Sequence, residues 1–138
     1  MGSGKLIRQA GEADIPRCID MTEALAASVS GPQRICRLRT GETLAGLLRN
    51  PQGAVFVSGG GFIAGQIMQT VISPEPVAYE LGWFASDRSG LRLLRAFEAW
   101  SEEQGATLIA MSAKGGAAHL ILERRGYTVA EIQMVKAI

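Results

Sequence analysis

Arg88-Ser89-Gly90-Leu91-Arg92 is the stretch whose residue types and spacing point most directly to chemistry. A glycine ahead of an amphipathic run marks a helix start. The unpaired amides and the dipole of such a start favour an anion. Arg88 and Arg92 can add charge-assisted contacts to phosphate oxygens. On spacing alone the alternative is an ordinary first turn with solvated arginines. Groups that exchange protons near neutral pH are scarce: His119 is the only histidine. Glu80 lies in a strand-like run, where alternation turns it away from Tyr79 and Leu81 and toward the side of Gly82. Cys18 and Cys36 are the only cysteines and read as two reduced thiols. With one histidine beside them, no zinc or other metal site is expected. Arg34, Arg37 and Arg39 form a small basic cluster, which either attracts an acidic substrate or is simply solvated.

The 138 residues suit one domain, 47% of them apolar and 20% charged, a balance that supports a core and excludes a disordered tail. Net charge is +1 with no basic block, so no nucleic-acid partner is expected. No apolar run reaches the ~18 residues of a membrane span. Reduced thiols and the lack of a secretory signal imply a cytoplasmic protein. Met1-Gly2-Ser3-Gly4 reads as an added segment outside the fold.

The elements that must position these residues follow from periodicity. Lys5 to Gln9 is a candidate first strand. A helix starts at Asp14, expected to cap the first-turn amides, with Pro16 in that turn. Ile15, Cys18, Ile19, Met21, Leu25 and Ala26 follow, most of them on one helical face, and Ser28–Pro32 breaks the helix. Thr40 is the candidate cap of a second helix to Asn50, with Leu44, Leu47 and Leu48 as its stripe. The period then falls to two. Ala54–Val57, Phe62–Ile72 and Val77–Phe84 are strands, joined by the Gly59-Gly60-Gly61 and Ser73–Pro76 turns, and they predict an antiparallel meander. Gly90–Gln104 is a helix with Leu93, Leu94, Phe97 and Trp100 on its apolar face and Gly105 as C-cap. Thr107–Met111 reads as a buried strand, Ala117–Arg125 as a helix closed by Gly126, and Tyr127–Val135 as the last strand. The order β-α-α-β-β-β-α-β-α-β gives an α/β (α+β) domain over 1–138 with a mixed, mostly antiparallel sheet. The strand ending at Phe84 should lie parallel to the one starting at Thr107.

Four segments in this order resemble the GNAT superfamily of acetyl-CoA-dependent N-acyltransferases. They are Ile7-Arg8-Gln9-Ala10 with Asp14-Ile15-Pro16, Leu81 to Arg88, Leu94 to Trp100 with Gly105-Ala106, and Leu122-Glu123-Arg124-Arg125-Gly126-Tyr127. The resemblance covers nearly the whole chain. The ending Gly126-Tyr127 to Lys136 is similar to GNAT-like proteins encoded in bacteriophage genomes.

The resemblance implies acetyl-CoA as co-substrate and a primary amine of a small molecule, protein or modified nucleobase as acceptor. Leu81, Gly82, Trp83 and Phe84 would pair with the pantetheine arm, and Arg88, Ser89, Gly90, Leu91 and Arg92 would hold the pyrophosphate. Glu80 would take the amine proton, and an amide near Trp83 or Phe84 would face the oxyanion. Trp83 and Phe84 would line the acyl channel or the core. Two departures stand out. The family loop Arg-Gly-x-Gly-Ile-Gly-x-x-Leu-Leu is shorter here by about three residues, nearly one helical turn. The family's acid tyrosine, counted five residues back from Tyr127, falls on Leu122, and its upstream asparagine falls on Gly115. His119, Ser112 and Tyr127 are the candidates to protonate the thiolate. The resemblance also places acceptor specificity in residues 14–50 and the Ser73–Pro76 turn, and makes a homodimer an open expectation. The favoured function is N-acetyl transfer. The alternative is a degenerate GNAT-fold protein that binds CoA or other proteins.

Overall fold

Glycine turns and two-residue alternation build the centre of the molecule. The computed structural model describes residues 6–29 and 33–138. In chain order the elements are β1 (Arg8–Gln9), a 3-10 turn (Glu12–Asp14), α1 (Ile15–Ser28), α2 (Arg37–Arg49), β2 (Gly53–Val57), β3 (Gly61–Met68), β4 (Val77–Ala85), α3 (Gly90–Glu103), β5 (Leu108–Ala110) and α4 (Gly116–Arg124). The strands form one sheet in the order β1-β2-β3-β4-β5. The first four are antiparallel, and β4 and β5 are parallel, as the crossover through α3 requires.

Each face of the sheet carries its own core. On one, Cys18 and Met21 of α1 and Leu44 and Leu47 of α2 cover Val55, Val57, Phe62 and Ala64. On the other, Leu93, Phe97 and Trp100 of α3 cover Ala54, Ile63, Ile67 and Ala78. The Phe97 and Trp100 rings stack at 5.6 Å. Both cysteines are free, and burial pushes the Cys18 thiol up to about 11, so it serves as a small apolar packing group. No helix among the described residues is long and apolar enough to cross a membrane.

Several boundaries differ from expectation. Residues 1–5, with the Met1–Gly4 segment and Lys5, and residues 30–32 of the predicted break lie outside the described residues. Asp14 does not accept first-turn amides of α1. It accepts the Gly11 amide at 2.8 Å and the guanidiniums of Arg8 and Arg17, which outcompete neutral donors. Thr40 is not a cap: α2 begins at Arg37, and the Thr40 hydroxyl donates back to the Cys36 carbonyl at 3.1 Å. β3 stops at Met68 because its partner begins at Val77, which leaves Val71 and Ile72 exposed. β5 is a short edge strand rather than a buried one, with Leu108 61% exposed. Tyr127–Val135 is not a strand. It has no ladder partner among the described residues, so the sheet has five strands instead of six.

Strand alternation also fails once, at a place that matters. Ala64 opposes Gly82 and Gly65 opposes Glu80, so Leu81 is the extra residue of a β-bulge. Glu80 therefore shares the α3 face with Gly65, where a Cβ would fall 2.6 Å from Phe97 Cζ. Gly82 faces Phe62 and Leu25 on the opposite side. The expectation that Glu80 and Gly82 point the same way is overturned by that one inserted residue.

Candidate functional site

The bulge lies where β4 parts from its neighbour. β4 and β5 pair only from Val77–Leu108 to Tyr79–Ala110, yet β4 runs on to Ala85. From Glu80 onward its edge toward β5 carries no ladder. At the fork, the Glu80 carboxylate accepts the Ser112 amide at 2.9 Å, replacing the main-chain acceptor that a continued ladder would have supplied. Burial pushes the Glu80 carboxyl above the ordinary carboxylate range, and hydrogen bonding by Ser112 pulls partly against it.

The unpaired edge leads to the start of α3. The first amide bonded within that helix is Leu93, to the Ser89 carbonyl at 2.9 Å. The amides of Gly90, Leu91 and Arg92 precede it and have no acceptor within the helix. Leu91 and Arg92 are exposed, so protein does not cover the tip. Arg88 is also exposed and takes a left-handed backbone, φ 64°, rare for a residue with a side chain. This conformation turns the chain from β4 into α3 within a short loop. The Trp83 indole donates to the Gly90 carbonyl at 3.0 Å and ties strand end to helix start. Phe84 points the other way, into the α1/α2 core.

Ser89 does not join this tip. It is fully buried, its amide donates to Asp87 Oδ1 at 3.2 Å, and its hydroxyl meets that of Ser58 at 2.7 Å. Asp87 also accepts the Gly60 amide at 2.9 Å. Burial raises the Asp87 carboxyl, but bonds from Ser89, Gly60 and Ser58 outweigh it and hold the group below its usual range. This lock between the glycine turn and α3 was invisible in the sequence, because its partners lie about thirty residues apart.

The candidate acids are scattered. Leu122 is buried packing. The Tyr127 hydroxyl donates to Glu98 of α3 at 2.9 Å, and burial followed by that carboxylate raises its pKa, so it holds its proton. His119 is half-buried on α4, 3.5 Å from Glu123. The basic cluster is divided: Arg37 binds Asp20 and Glu23 of α1, whereas Arg39 lines a groove. That open groove, about 360 Å³, lies between α2 and the sheet and is lined by Arg39, Glu42, Thr43, Asn50, Gln66 and the bulged Leu81, among others. Glu42, Asn50 and Gln66 gave no sequence signal, since they come together only when α2 packs. Among the described residues no three acidic, histidine or cysteine side chains cluster as a metal site would require.

No protein-family model matches the sequence, and no curated protein matches it. Solved structures do match in shape. A Pyrococcus furiosus protein described as an acetyl transferase aligns over 96% of this chain and 99% of its own, with TM-score 0.73 and 23% identity. The aminoglycoside 6'-N-acetyltransferase of Acinetobacter haemolyticus aligns over 96% and 99%, with TM-score 0.69 and 17% identity. A transcriptional regulator from Bacillus halodurans aligns over 96% and 99%, with TM-score 0.74 and 15% identity. At these identities the likeness is one of fold: the chain has the GNAT-type acetyltransferase fold.

Proposed function

We propose that residues 1–138 act as one acyltransferase domain that moves an acetyl group from acetyl-CoA to a primary amine of a small molecule. The observation that carries this reading is the unpaired edge of β4 beyond Tyr79, ending at three helix-start amides without intrahelical acceptors. An amide-bearing arm fits that edge along Leu81–Phe84, and an anionic group fits the tip. Gly90, Leu91 and Arg92 would supply amides there, and Arg88 and Arg92 would supply charge. Ser89 is left out because its amide is engaged by Asp87. The thioester brings an activated acetyl group. The protein's part is to orient the amine, take its proton and steady developing negative charge.

Glu80 is the proposed proton acceptor, since burial raises its pKa and so makes its carboxylate a stronger base than an exposed one. An amide near Trp83 or Phe84 is the proposed oxyanion donor. His119 is the proposed donor to the thiolate, because Leu122 is buried and Tyr127 is held by Glu98. The matched fold from Acinetobacter haemolyticus is named for an aminoglycoside, a small-molecule amine acceptor.

One observation favours a second reading, a catalytically degenerate binding module. The Asp87 carboxylate sits beside the α3 start, where a phosphate would meet like charge. Thermal melting separates the two. A ligand at a hundred times its Kd stabilises the native state by about 2.7 kcal/mol, so millimolar acetyl-CoA should raise Tm. Thiol release with a panel of polyamines and aminoglycosides then reads turnover. Unchanged melting at millimolar acetyl-CoA overturns acetyl transfer, and a shift without thiol release favours the binding module.

A further inference from the structure

Primary amines are scarce in this chain. Of its 14 cationic side chains only Lys5, Lys114 and Lys136 are lysines. The arginines cannot stand in as nucleophiles, because a guanidinium keeps its proton. Lys114 leaves the loop between β5 and α4, two residues after Ser112, whose amide is held by Glu80. Its ammonium donates to the Ser28 carbonyl at 3.3 Å, across 86 residues of sequence. Ser28 ends α1, and its hydroxyl donates to the Leu25 carbonyl at 2.8 Å. Leu25 in turn lies beside β4 where the edge of that strand is unpaired: its Cδ2 would be 3.8 Å from a Cβ on Gly82. The Lys114 side chain therefore runs from the β5 wall of the fork to the α1 wall, past Glu80 and Gly82.

The tie that holds this amine is easily exchanged. The last carbonyls of α1 have no intrahelical donor and carry partial negative charge, which favours an ammonium there. Yet the bond is single and exposed, and a flexible four-carbon stem lets the group swing away. A thioester whose arm lies along Leu81–Phe84, with its carbonyl at the fork, would meet this amine and the Glu80 carboxylate together. Neither of the other lysines is fastened beside Glu80 among the described residues.

We propose that Lys114 is a self-acetylation site, modified within its own chain by the bound donor, a step that rests on the acetyl-transfer reading above. The ammonium gives one proton to Glu80, and the freed nitrogen attacks the thioester carbonyl carbon. The C–N bond forms, the C–S bond breaks, and the nitrogen's second proton ends on the departing CoA sulfur. The products are N-acetyl-Lys114 and free CoA, with one proton passed from Glu80 to water. Incubation of the full chain with acetyl-CoA, followed by peptide mass spectrometry, should show one acetyl group on Lys114. Its rate should not depend on protein concentration. Glu80→Gln should slow it roughly tenfold or more. Lys114→Arg should abolish it while keeping a cation beside Ser28. Chain unfolded in urea supplies the uncatalysed background at all three lysines. Lys114 acetylated no faster than Lys5 and Lys136, no faster than in urea, no slower in Glu80→Gln, or faster in proportion to protein concentration would each overturn the proposal. Melting of the same samples separates the failures. A Tm raised by acetyl-CoA with Lys114 unmodified removes self-acetylation alone; an unchanged Tm with Lys114 unmodified removes acetyl transfer with it.

Discussion

Glu80 is held between burial, which favours its neutral form, and the Ser112 amide, which favours its charge. Because its folded pKa is raised, the sign of its contribution to stability is set: it is favourable at low pH and lost as pH rises through the folded value. At neutral pH the buried carboxylate therefore costs stability. Glu80→Gln should melt no lower than the parent at pH 7 and should fall behind it only in acid, as thermal scans across pH will show. Acetyl transfer should respond in the opposite way. It should rise with pH through the raised pKa in the parent, and Glu80→Gln should slow it at least tenfold and flatten that limb, within the range expected of general base catalysis. A variant as fast as the parent removes Glu80 from the chemistry. The identity of the carboxylate and its place on a strand were legible in the sequence. Its direction was not, because the alternation argument assumes an unbroken ladder and Leu81 breaks it.

At the scale of elements, the meander, the α3 stripe and the parallel β4–β5 pair followed from local periodicity and turn residues. The ends of elements followed from pairing instead: β3 stops where β4 begins, and β5 is short because β4 bulges away from it. Gly65 shows how closely α3 is seated. A Cβ there would fall 2.5 Å from the Tyr79 carbonyl oxygen and press against the edge of the Phe97 ring. Gly65→Ala should destabilise by about 1–3 kcal/mol, the usual effect of overpacking, measurable by urea titration. Phe97→Ala in the same background should make the combined loss smaller than the sum, since the residues share one contact.

Across the whole molecule, Asp14 joins distant parts of the chain. It accepts Arg8 from β1, Arg17 from α1 and the Gly11 amide, and Arg17 reaches on to the carbonyls of Ser58 and Gly59 in the β2–β3 turn. The Arg8 guanidinium first, then the Gly11 amide, hold the Asp14 carboxyl far below its usual range. A depressed folded pKa contributes stability above the unfolded value, near ~4, and loses it as pH falls. Asp14→Asn should therefore cost roughly 1–2 kcal/mol at pH 7, at the modest end because both arginines are partly solvated, and progressively less in acid. Denaturant titrations at pH 7 and pH 3 check this. By itself the sequence determined what depends on neighbours along the chain: where the four helices and the central meander run, which face of each is apolar, and where a helix start could meet an anion. Tertiary structure decided what depends on distant partners: the bulge that turns Glu80, the Asp87–Ser89–Ser58 lock, the groove beside α2, and the failure of the last segment to become a strand. A strand exists only where another edge meets it, and no local pattern records whether one will.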